Sequence, residues 1–416
     1  MSAAQSQVEK LRRILEVTRQ MAATTDLDAL LAMIIEAARD VLDCERATIF
    51  LYDSERNELY SRVATGVESI RFAADRGIAG TAAQERVVVN VPDAYADPRF
   101  NQDIDKRTGY RTRTLLTFPL ENLTGELMGV LQTLNKRTGP FDAGDEELAR
   151  VLSAQAGVAL HRWRLLEEYA EKQRMARDLE IARSIQQALF PRESPQVPGY
   201  DLAGWNRCAD ETGGDCYDFI PLPDGRLAVL VADATGHGIG AALVIAQFRS
   251  LARATFSVTQ DVSMVADRVN RLLADDIQGN CFVTALIAAL DPQRHRLDYV
   301  SAGQGPLLFL SNGKQEARCA SGVPLAIIDD MHYEAQHFDF APGDALVLLT
   351  DGFYETLGPG KEQFGEERVT DFVTARARTP LPDLITELHE AVRDFSAGGP
   401  QADDLTAVLI RRSLPS

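Results

Sequence analysis

Four short motifs in the C-terminal half of the chain each place an aspartate at or beside the end of a predicted strand. They are Gly213-Gly214-Asp215, Asp233-Ala234-Thr235-Gly236-His237-Gly238, Thr350-Asp351-Gly352 and Asp403-Asp404-Leu405-Thr406. Hard divalent cations such as Mg²⁺ and Mn²⁺ bind oxygen ligands, and carboxylates from separate strand ends can converge on one or two such ions. The motifs therefore predict a metal-assisted hydrolase.

Two of these aspartates directly follow apolar runs that predict buried strands. Asp233 comes after the run from Leu227 to Ala232, and Asp351 comes after the run from Ala345 to Thr350. Glycines beyond Asp233 allow a sharp turn, so the carbonyl of Ala234 can act as a second oxygen ligand. Two strands are therefore expected to deliver metal ligands at their C-terminal ends.

The other two aspartates are reached differently. Asp215 is expected to be freed by the flexible pair Gly213-Gly214, and Asp403 stands directly before the last predicted strand, with Asp404 as the neighbouring alternative ligand. A single aspartate at a strand end is more often an Asx turn than a ligand. Four converging carboxylates would repel one another strongly without cations, so convergence would itself indicate metal.

Hydrophobic periodicity predicts the scaffold that these motifs need. In the second half, strands are predicted at residues 227–232, 282–290, 297–301, 345–349 and 407–411, and helices at 238–255, 261–276, 366–376 and 381–395. In the first half, the pattern predicts two amphipathic helices between residues 5 and 43, strands at 47–53, 58–64, 87–91, 115–120 and 127–134, and a final helix starting near residue 145. The fold class is therefore α+β, with two domains.

The helix that starts near residue 145 is predicted to continue to about Leu189, and Pro191 ends it. Its middle, residues 167–174, is highly charged. Two interpretations remain open: an exposed connector, or a coiled coil that pairs two subunits through a broken apolar heptad. We place the predicted domain boundaries at residues 1–160, 161–192 and 193–416.

Composition limits the partners of the chain. A formal net charge of −18 over 416 residues argues against nucleic acid and anionic membranes, which select a basic face. Five cysteines without a C-x-x-C pair are typical of reduced thiols in a cytosol. No signal peptide or run of 18 apolar residues is recognisable. We therefore expect a cytoplasmic protein with no membrane and no nucleic-acid partner.

The ordered motifs between about residues 180 and 412 resemble the sigma-regulator branch of the protein phosphatase 2C superfamily, which includes SpoIIE and RsbU. Besides the four aspartate motifs, the resemblance is carried by Ala182 to Pro191, Ser301-Ala302-Gly303 and Pro342-Gly343-Asp344. It implies two packed antiparallel sheets flanked by helices. It also implies two Mn²⁺ or Mg²⁺ ions in a cleft at the sheet ends and a phosphoserine or phosphothreonine protein as substrate.

The same resemblance implies a role for each acidic position. Asp215 and Asp233 would share the two ions, with the Ala234 carbonyl on one of them, while Asp351 and Asp403 would complete the other. Such ions lower the pKa of bound water, orient the phosphoryl group and neutralise charge on its oxygens. The predicted catalytic residues are accordingly Asp215, Asp233 and Asp351, with no side-chain nucleophile.

Residues from about 10 to 160 resemble a GAF domain, a sensory fold built on a six-stranded antiparallel sheet. The resemblance rests on Gly77-Ile78-Ala79-Gly80, Val91-Pro92-Asp93-Ala94-Tyr95, Thr108-Gly109-Tyr110-Arg111-Thr112, Asn135-Lys136, Phe141 and Asp145-Glu146. By this resemblance a pocket would be lined by Ile78, Ala79, Asp105, Thr108 and Thr112. Its ligand would be cAMP or cGMP, another small molecule, or none, in which case the domain is a dimer scaffold.

Together these features predict a phosphoprotein phosphatase regulated by an N-terminal sensor. The substrate implied by the family is a phosphorylated anti-sigma-factor antagonist, and a homodimer would follow if the long helix pairs. The alternative is a ligand-controlled adaptor, a pseudophosphatase that binds partners without hydrolysis. The intact aspartates disfavour that alternative.

Overall fold

The computed structural model describes residues 3–62, 70–277, 281–311 and 314–414. It divides into two compact units, residues 1–174 and 175–416. One continuous helix, α5 (Ala143–Gln187), contains the dividing point. The predicted helix starting near residue 145 is thus present, although it ends two residues before Leu189.

The first unit is built on one six-stranded antiparallel sheet in the order β3-β2-β1-β6-β5-β4. Its strands are β1 (Cys44–Asp53), β2 (Glu58–Tyr60), β3 (Arg71–Ala73), β4 (Val89–Val91), β5 (Leu115–Glu121) and β6 (Leu127–Lys136). Its helices, besides the start of α5, are α1 (Ala3–Ala23), α2 (Leu27–Val41), α3 (Gly77–Glu85) and α4 (Gln102–Thr108), with a 3₁₀ turn at Ala94–Ala96. The predicted extension of β2 through Val63 and Ala64 lies outside the described residues.

The capping of α2 illustrates how this unit is specified locally. The Asp26 side chain accepts a hydrogen bond from the Ala29 backbone N–H at 2.8 Å, which satisfies one of the free donors at the helix start. Buried apolar residues then recur along one face, among them Leu30, Leu31 and Ile34. They pack against the sheet, as the helical period predicts.

The second unit is a sandwich of two five-stranded antiparallel sheets flanked by helices. One sheet has the order β14-β11-β10-β9-β8 and the other β13-β12-β15-β16-β7. The strands are β7 (Tyr200–Arg207), β8 (Asp215–Pro221), β9 (Leu227–Ala234), β10 (Val283–Asp291), β11 (Arg296–Ala302), β12 (Leu307–Ser311), β13 (Lys314–Arg318), β14 (Gln336–Asp339), β15 (Ala345–Leu349) and β16 (Leu405–Arg412). The helices are α6 (Ile239–Phe256), α7 (Val262–Asp276), α8 (Gly352–Glu355), α9 (Gly365–Ala375) and α10 (Leu381–Phe395).

Three layers of buried side chains hold this sandwich together. The inner faces of the two sheets meet around residues such as Val229, Tyr299 and Ile410. Helices α6 and α7 cover the outer face of the first sheet, and α9 and α10 cover that of the second. The α+β class with two domains and a double antiparallel sandwich is therefore confirmed. In the described part of the chain no helix is long and apolar enough to cross a membrane.

Candidate metal centre

Asp215 and Asp233 lie directly opposite each other on neighbouring strands. In the antiparallel pair β8 and β9, Asp215 is the cross-strand partner of Asp233. Directly opposed residues of an antiparallel pair have Cβ atoms about 5 Å apart, and like charges there are destabilising. The two carboxyl groups are close enough to share a hydrogen bond. This pair is the first half of the candidate centre.

Asp351 and Asp403 come from the second sheet. Asp351 follows β15 and Asp403 precedes β16, and these two strands pair in antiparallel register with Leu349 opposite Ala407. Both side chains are open to solvent. Because β15 ends where β16 begins, their aspartates lie at the same edge of the sandwich.

Electrostatics places the two halves within reach of each other. Burial raises the pKa of Asp233 to about 8, with further contributions from the carboxylates of Asp351 and Asp403. Burial likewise raises the pKa of Asp215 well above its ordinary value, and Asp233 is the next cause. Desolvation and then Asp403 raise the pKa of Asp351, even though that side chain is partly open to solvent. The four sequence-predicted carboxylates thus share one negatively charged region.

Asp215 is not free, contrary to the expectation from its glycine pair. Gly213, Gly214 and Asp215 are all buried, and Asp215 is 1% exposed. Its Oδ2 atom accepts a hydrogen bond from the Thr350 hydroxyl at 2.7 Å. The glycines serve close packing instead of flexibility, because a Cβ on Gly213 would lie 2.2 Å from the Asp404 carboxylate.

Asp404 anchors the backbone of the loop between β7 and β8, residues 208–214, which contains Gly213 and Gly214 and is named the glycine loop. Its Oδ1 atom accepts a hydrogen bond from the Ala209 N–H at 2.8 Å, and its Oδ2 atom accepts one from the Gly214 N–H at 2.6 Å. A third N–H, that of Asp215, lies 3.3 Å from the same Oδ2. With its oxygens committed to the backbone, Asp404 is poorly placed to bind a cation. The geometry therefore favours Asp403 as the ligand, the position that the sequence left open.

The Ala234 carbonyl lies against the same loop. A Cβ on Gly214 would stand 2.7 Å from that oxygen, so only glycine fits there. The Ala234 N–H donates to the Gly214 carbonyl at 2.9 Å, which joins the two motifs that carry Asp215 and Asp233. His237, in the turn beyond, is 82% exposed and pairs with Asp210 at 3.1 Å.

The donor set fits divalent cations. Among the described residues, none of Asp215, Asp233, Asp351 and Asp403 forms an ion pair with a lysine, arginine or histidine, so no basic side chain in that part of the chain compensates their charge. Nor do three or more His, Cys, Asp or Glu side chains there cluster tightly enough to enclose an ion. Backbone carbonyls and water would have to complete the shell, an arrangement that is usual for Mg²⁺.

The sequence did not predict the supporting roles of three residues. Thr350 holds Asp215 through its hydroxyl, Asp404 folds the glycine loop, and Asp218 is a fully buried carboxylate that pairs with Arg249 and Arg253 of α6. For Thr350, a hydroxyl side chain next to Asp351 was a feature of the sequence that could have indicated a supporting role. No feature of the sequence indicates the role of Asp218, because its arginine partners lie more than 30 residues away.

In the first unit, four of the five proposed pocket residues are described and buried. Ile78 and Ala79 pack in the apolar cluster beneath α3. Asp105 accepts hydrogen bonds from the Thr112 backbone N–H at 2.6 Å and from the Thr112 hydroxyl at 2.8 Å. The side chain of Thr108 lies outside the described residues. Asp105 and Thr112 therefore contact each other, while the part that they play in ligand binding stays a prediction.

Comparisons with known proteins agree with this architecture. Residues 223–413 match the family model of stage II sporulation protein E (SpoIIE), and residues 26–160 match the GAF domain. The SpoIIE match includes Asp233, Asp351 and Asp403, whereas Asp215 precedes it. Both family resemblances drawn from the motifs are confirmed.

Individual relatives match parts of the chain. The phosphoserine phosphatase RsbP of Bacillus subtilis is 25% identical over 243 residues, which are 56% of this chain and 57% of RsbP. The probable 3′,5′-cyclic phosphodiesterase pde-5 of Caenorhabditis elegans is 33% identical over 156 residues, 34% of this chain and 21% of that protein. The chain thus spans between a fifth and just over half the length of these two curated relatives.

A solved structure shares the fold of the second unit. The SiaA-PP2C domain of Pseudomonas aeruginosa superposes with a TM-score of 0.51 at 23% identity, and the match covers 58% of this chain and 98% of that domain.

Proposed function

We propose that this protein, which joins a GAF domain to a SpoIIE-type phosphatase domain of the protein phosphatase 2C superfamily, is a phosphoprotein phosphatase. It would act on phosphoserine or phosphothreonine and depend on Mn²⁺ or Mg²⁺. One observation carries the proposal: two sheets deliver Asp215, Asp233, Asp351 and Asp403 to one edge without a neutralising ion pair among the described residues. That arrangement is costly unless cations bind there.

The chain's own residues would hold and orient the ions. Asp215 and Asp233 would act from one sheet, with the Ala234 carbonyl, and Asp351 and Asp403 from the other. When bound, divalent ions neutralise charge on phosphoryl oxygens and lower the pKa of bound water. The Thr350 hydroxyl would orient Asp215 and offset part of the rise in its pKa that burial causes, because a hydrogen bond to a carboxylate favours its charged form.

The cysteine beside the centre does not offer a competing chemistry. Cys216 is 5% exposed, and burial raises the pKa of its thiol well above the ordinary value. Thiolate, not thiol, is the nucleophile of cysteine enzymes. This supports a route in which the side chains position ions and water, with none of them forming a covalent intermediate.

The deciding experiment is release of phosphate from p-nitrophenyl phosphate and from a phosphoserine peptide by the whole chain. We expect activity that requires Mn²⁺ or Mg²⁺ and that falls at least 100-fold in Asp233→Asn. Asp330→Asn, an exposed loop position in the same unit, is the matched control. A folded wild-type chain that binds partners but releases no phosphate at any metal concentration would leave the adaptor alternative instead.

The substrate proposed for this site is a phosphorylated anti-sigma-factor antagonist. The similarity to RsbP, whose name describes a phosphoserine phosphatase, supports a phosphoserine protein. The strongly acidic chain and its five free thiols support a cytoplasmic setting in which such a partner circulates. Comparing phosphorylated antagonist proteins with phosphothreonine and phosphotyrosine peptides by kcat/KM would test the substrate class.

Regulation by the GAF domain is the second part of the proposal. A cyclic nucleotide, cAMP or cGMP, would bind near Ile78, Ala79, Asp105, Thr108 and Thr112, and the similarity to a phosphodiesterase supports this class of ligand. Titration calorimetry of the whole chain with each nucleotide tests it, with Thr112→Val as the variant. Absence of heat at micromolar nucleotide would discard cyclic nucleotides as the ligand.

Helix α5 supports a homodimer. Several large apolar side chains on it are exposed, namely Leu165, Tyr169, Met175, Ile181 and Ile185. A second copy of the same helix could bury them, as in a coiled coil. Light scattering after gel filtration should then give twice the mass of 45.7 kDa, and Ile181→Lys should return the monomer.

A further inference from the structure

The last turn of α5 makes a two-point hydrogen bond to the glycine loop of the candidate metal centre. The Gln186 Nε2 atom donates to the Gly213 carbonyl at 2.6 Å, and the Gly213 N–H donates to Gln186 Oε1 at 3.0 Å. The amide thus satisfies both polar groups of one buried residue. Gly213 stands two positions before Asp215.

Gln186 is unusual for its place in the helix. Between Met175 and Ala188 it is the only buried residue, at 6% exposure, while its neighbours Ile185 and Gln187 are exposed. A position that faces a protein core is ordinarily apolar, and a polar side chain is tolerated there when its hydrogen bonds are complete. The helix therefore contacts the glycine loop through an amide with a fixed donor and acceptor.

The glycine loop is held from its other side by Asp404. That carboxylate accepts the Gly214 N–H at 2.6 Å, and its Oδ2 atom would lie 2.2 Å from a Cβ on Gly213. Gln186 and Asp404 thus hold the backbone of Gly213 and Gly214, the two residues directly before Asp215, and each set of hydrogen bonds acts as a clamp. Loss of either clamp would allow the start of β8, and with it Asp215, to move.

We propose that Gln186 is a positioning residue for the metal centre, and that the Gly213 peptide is the point at which the long helix acts on Asp215. The inference rests on the proposed function and names where regulation enters that site. Each residue of a helix is rotated by 100° from the next, so turning α5 by one position would present Ile185 or Gln187 to Gly213. The Ile185 side chain can neither donate nor accept a hydrogen bond, so the turn that presents it would remove the contact of the helix with the Gly213 peptide.

The test compares Q186L with Q187L in the full-length protein. The two substitutions are chemically identical and adjacent, but only the first removes the clamp. We expect Q186L to raise the Mn²⁺ concentration for half-maximal activity, and the calorimetric Kd for Mn²⁺, by about 10- to 100-fold. The KM for p-nitrophenyl phosphate at saturating Mn²⁺ should stay within about twofold of wild type, since partners of metal ligands act on the metal.

A second readout does not depend on activity. Amide hydrogen exchange in EDTA should be faster in the segment 209–215 of Q186L than of wild type, because the Gly213 N–H loses its acceptor. Q187L should exchange like wild type. If Q186L fails to fold, Q186A answers the same question, since water can replace the missing amide in the space left.

The possible failures are distinguishable. A wild-type chain without Mn²⁺-dependent phosphate release would overturn the proposed function. An active wild-type chain, together with a Q186L variant that matches Q187L in Mn²⁺ affinity and in exchange of residues 209–215, would overturn only the role of Gln186.

Discussion

Removal of metal should make the second unit less stable as the pH rises, and Asp233→Asn should reduce that dependence. Burial and the neighbouring carboxylates raise the pKa of Asp233 to about 8 in the folded protein. In the unfolded chain an aspartate titrates near 4. The folded state therefore binds a proton more readily than the unfolded state between these two values. Its contribution to stability is complete below about pH 4 and is lost as the pH rises through about 8.

The size of the effect follows from the same shift. One proton bound only by the folded state changes the free energy of unfolding by about 1.4 kcal/mol per pH unit. Between pH 6 and pH 8 this sets a ceiling of about 3 kcal/mol for a single proton. Because Asp233 is partly exposed and the solvent screens it, we expect about 1–2 kcal/mol. Saturating Mn²⁺ should remove the loss, since cations replace the proton.

The assay is urea unfolding in EDTA at pH 6, 7 and 8. In a Trp163→Phe background Trp205 is the single tryptophan, so its fluorescence reports the second unit. From pH 6 to pH 8 the free energy of unfolding should fall in the Trp163→Phe background. The fall should be smaller in Asp233→Asn by about 1–2 kcal/mol, and in Asp330→Asn it should equal that of the background. Equal pH slopes for Asp233→Asn and wild type in EDTA would refute the electrostatic argument.

Three further outcomes follow from single contacts. Asp218→Asn should lower the free energy of unfolding by about 3 kcal/mol, because it leaves the largely buried Arg249 beside a neutral amide, and chemical denaturation measures this. Gly352→Ala should cost about 2 kcal/mol and most of the phosphatase activity, since its Cβ would lie 2.1 Å from the Asp404 carbonyl; a variant with wild-type melting and activity would contradict the packing. Hydrogen bonds lower the pKa of Glu45 to about 2, so its contribution to stability is present above pH 4.5 and is lost as the pH falls toward 2. Glu45→Gln should therefore reduce the loss of stability between pH 4.5 and pH 2, as measured by circular dichroism.

The elements that the sequence predicted best are long and strongly periodic. The apolar runs that became β9 and β15, and the amphipathic pattern of α10, are found within two residues of their predicted ends. Burial on both faces of a central strand leaves a continuous apolar run, which single-sequence reasoning recognises easily. Their positions alone sufficed to predict that Asp351 follows a strand and that Asp233 lies at the end of one, although β9 continues through Asp233 to Ala234.

The elements that were missed are edges and short strands. β8, β13 and β14 lie at the margins of their sheets, and β7 is the outer strand beside β16. Edge strands bury less surface and carry weaker apolar patterns, so nothing local marked them. This is why Asp215 was expected on a free loop, whereas it begins the edge strand β8.

The distinction between Asp403 and Asp404 required three-dimensional information. Adjacent residues at a strand end point to opposite sides, and the sequence offers no way to say which side faces the cleft. The structure shows that Asp404 accepts backbone hydrogen bonds from Ala209 and Gly214, whereas Asp403 is exposed, so Asp403 stays the proposed ligand. The contact between Gln186 and Gly213 was equally hidden, since it joins residues 27 positions apart.

The most direct test of the metal centre is anomalous X-ray diffraction from crystals grown with Mn²⁺. We expect two manganese peaks at about 2.2 Å from carboxylate oxygens of Asp215, Asp233, Asp351 and Asp403, with the Ala234 carbonyl as a further ligand. We also expect that Asp404 ligates neither ion. Peaks absent from this edge of the sandwich at saturating Mn²⁺, or bound through Asp404 in place of Asp403, would contradict it.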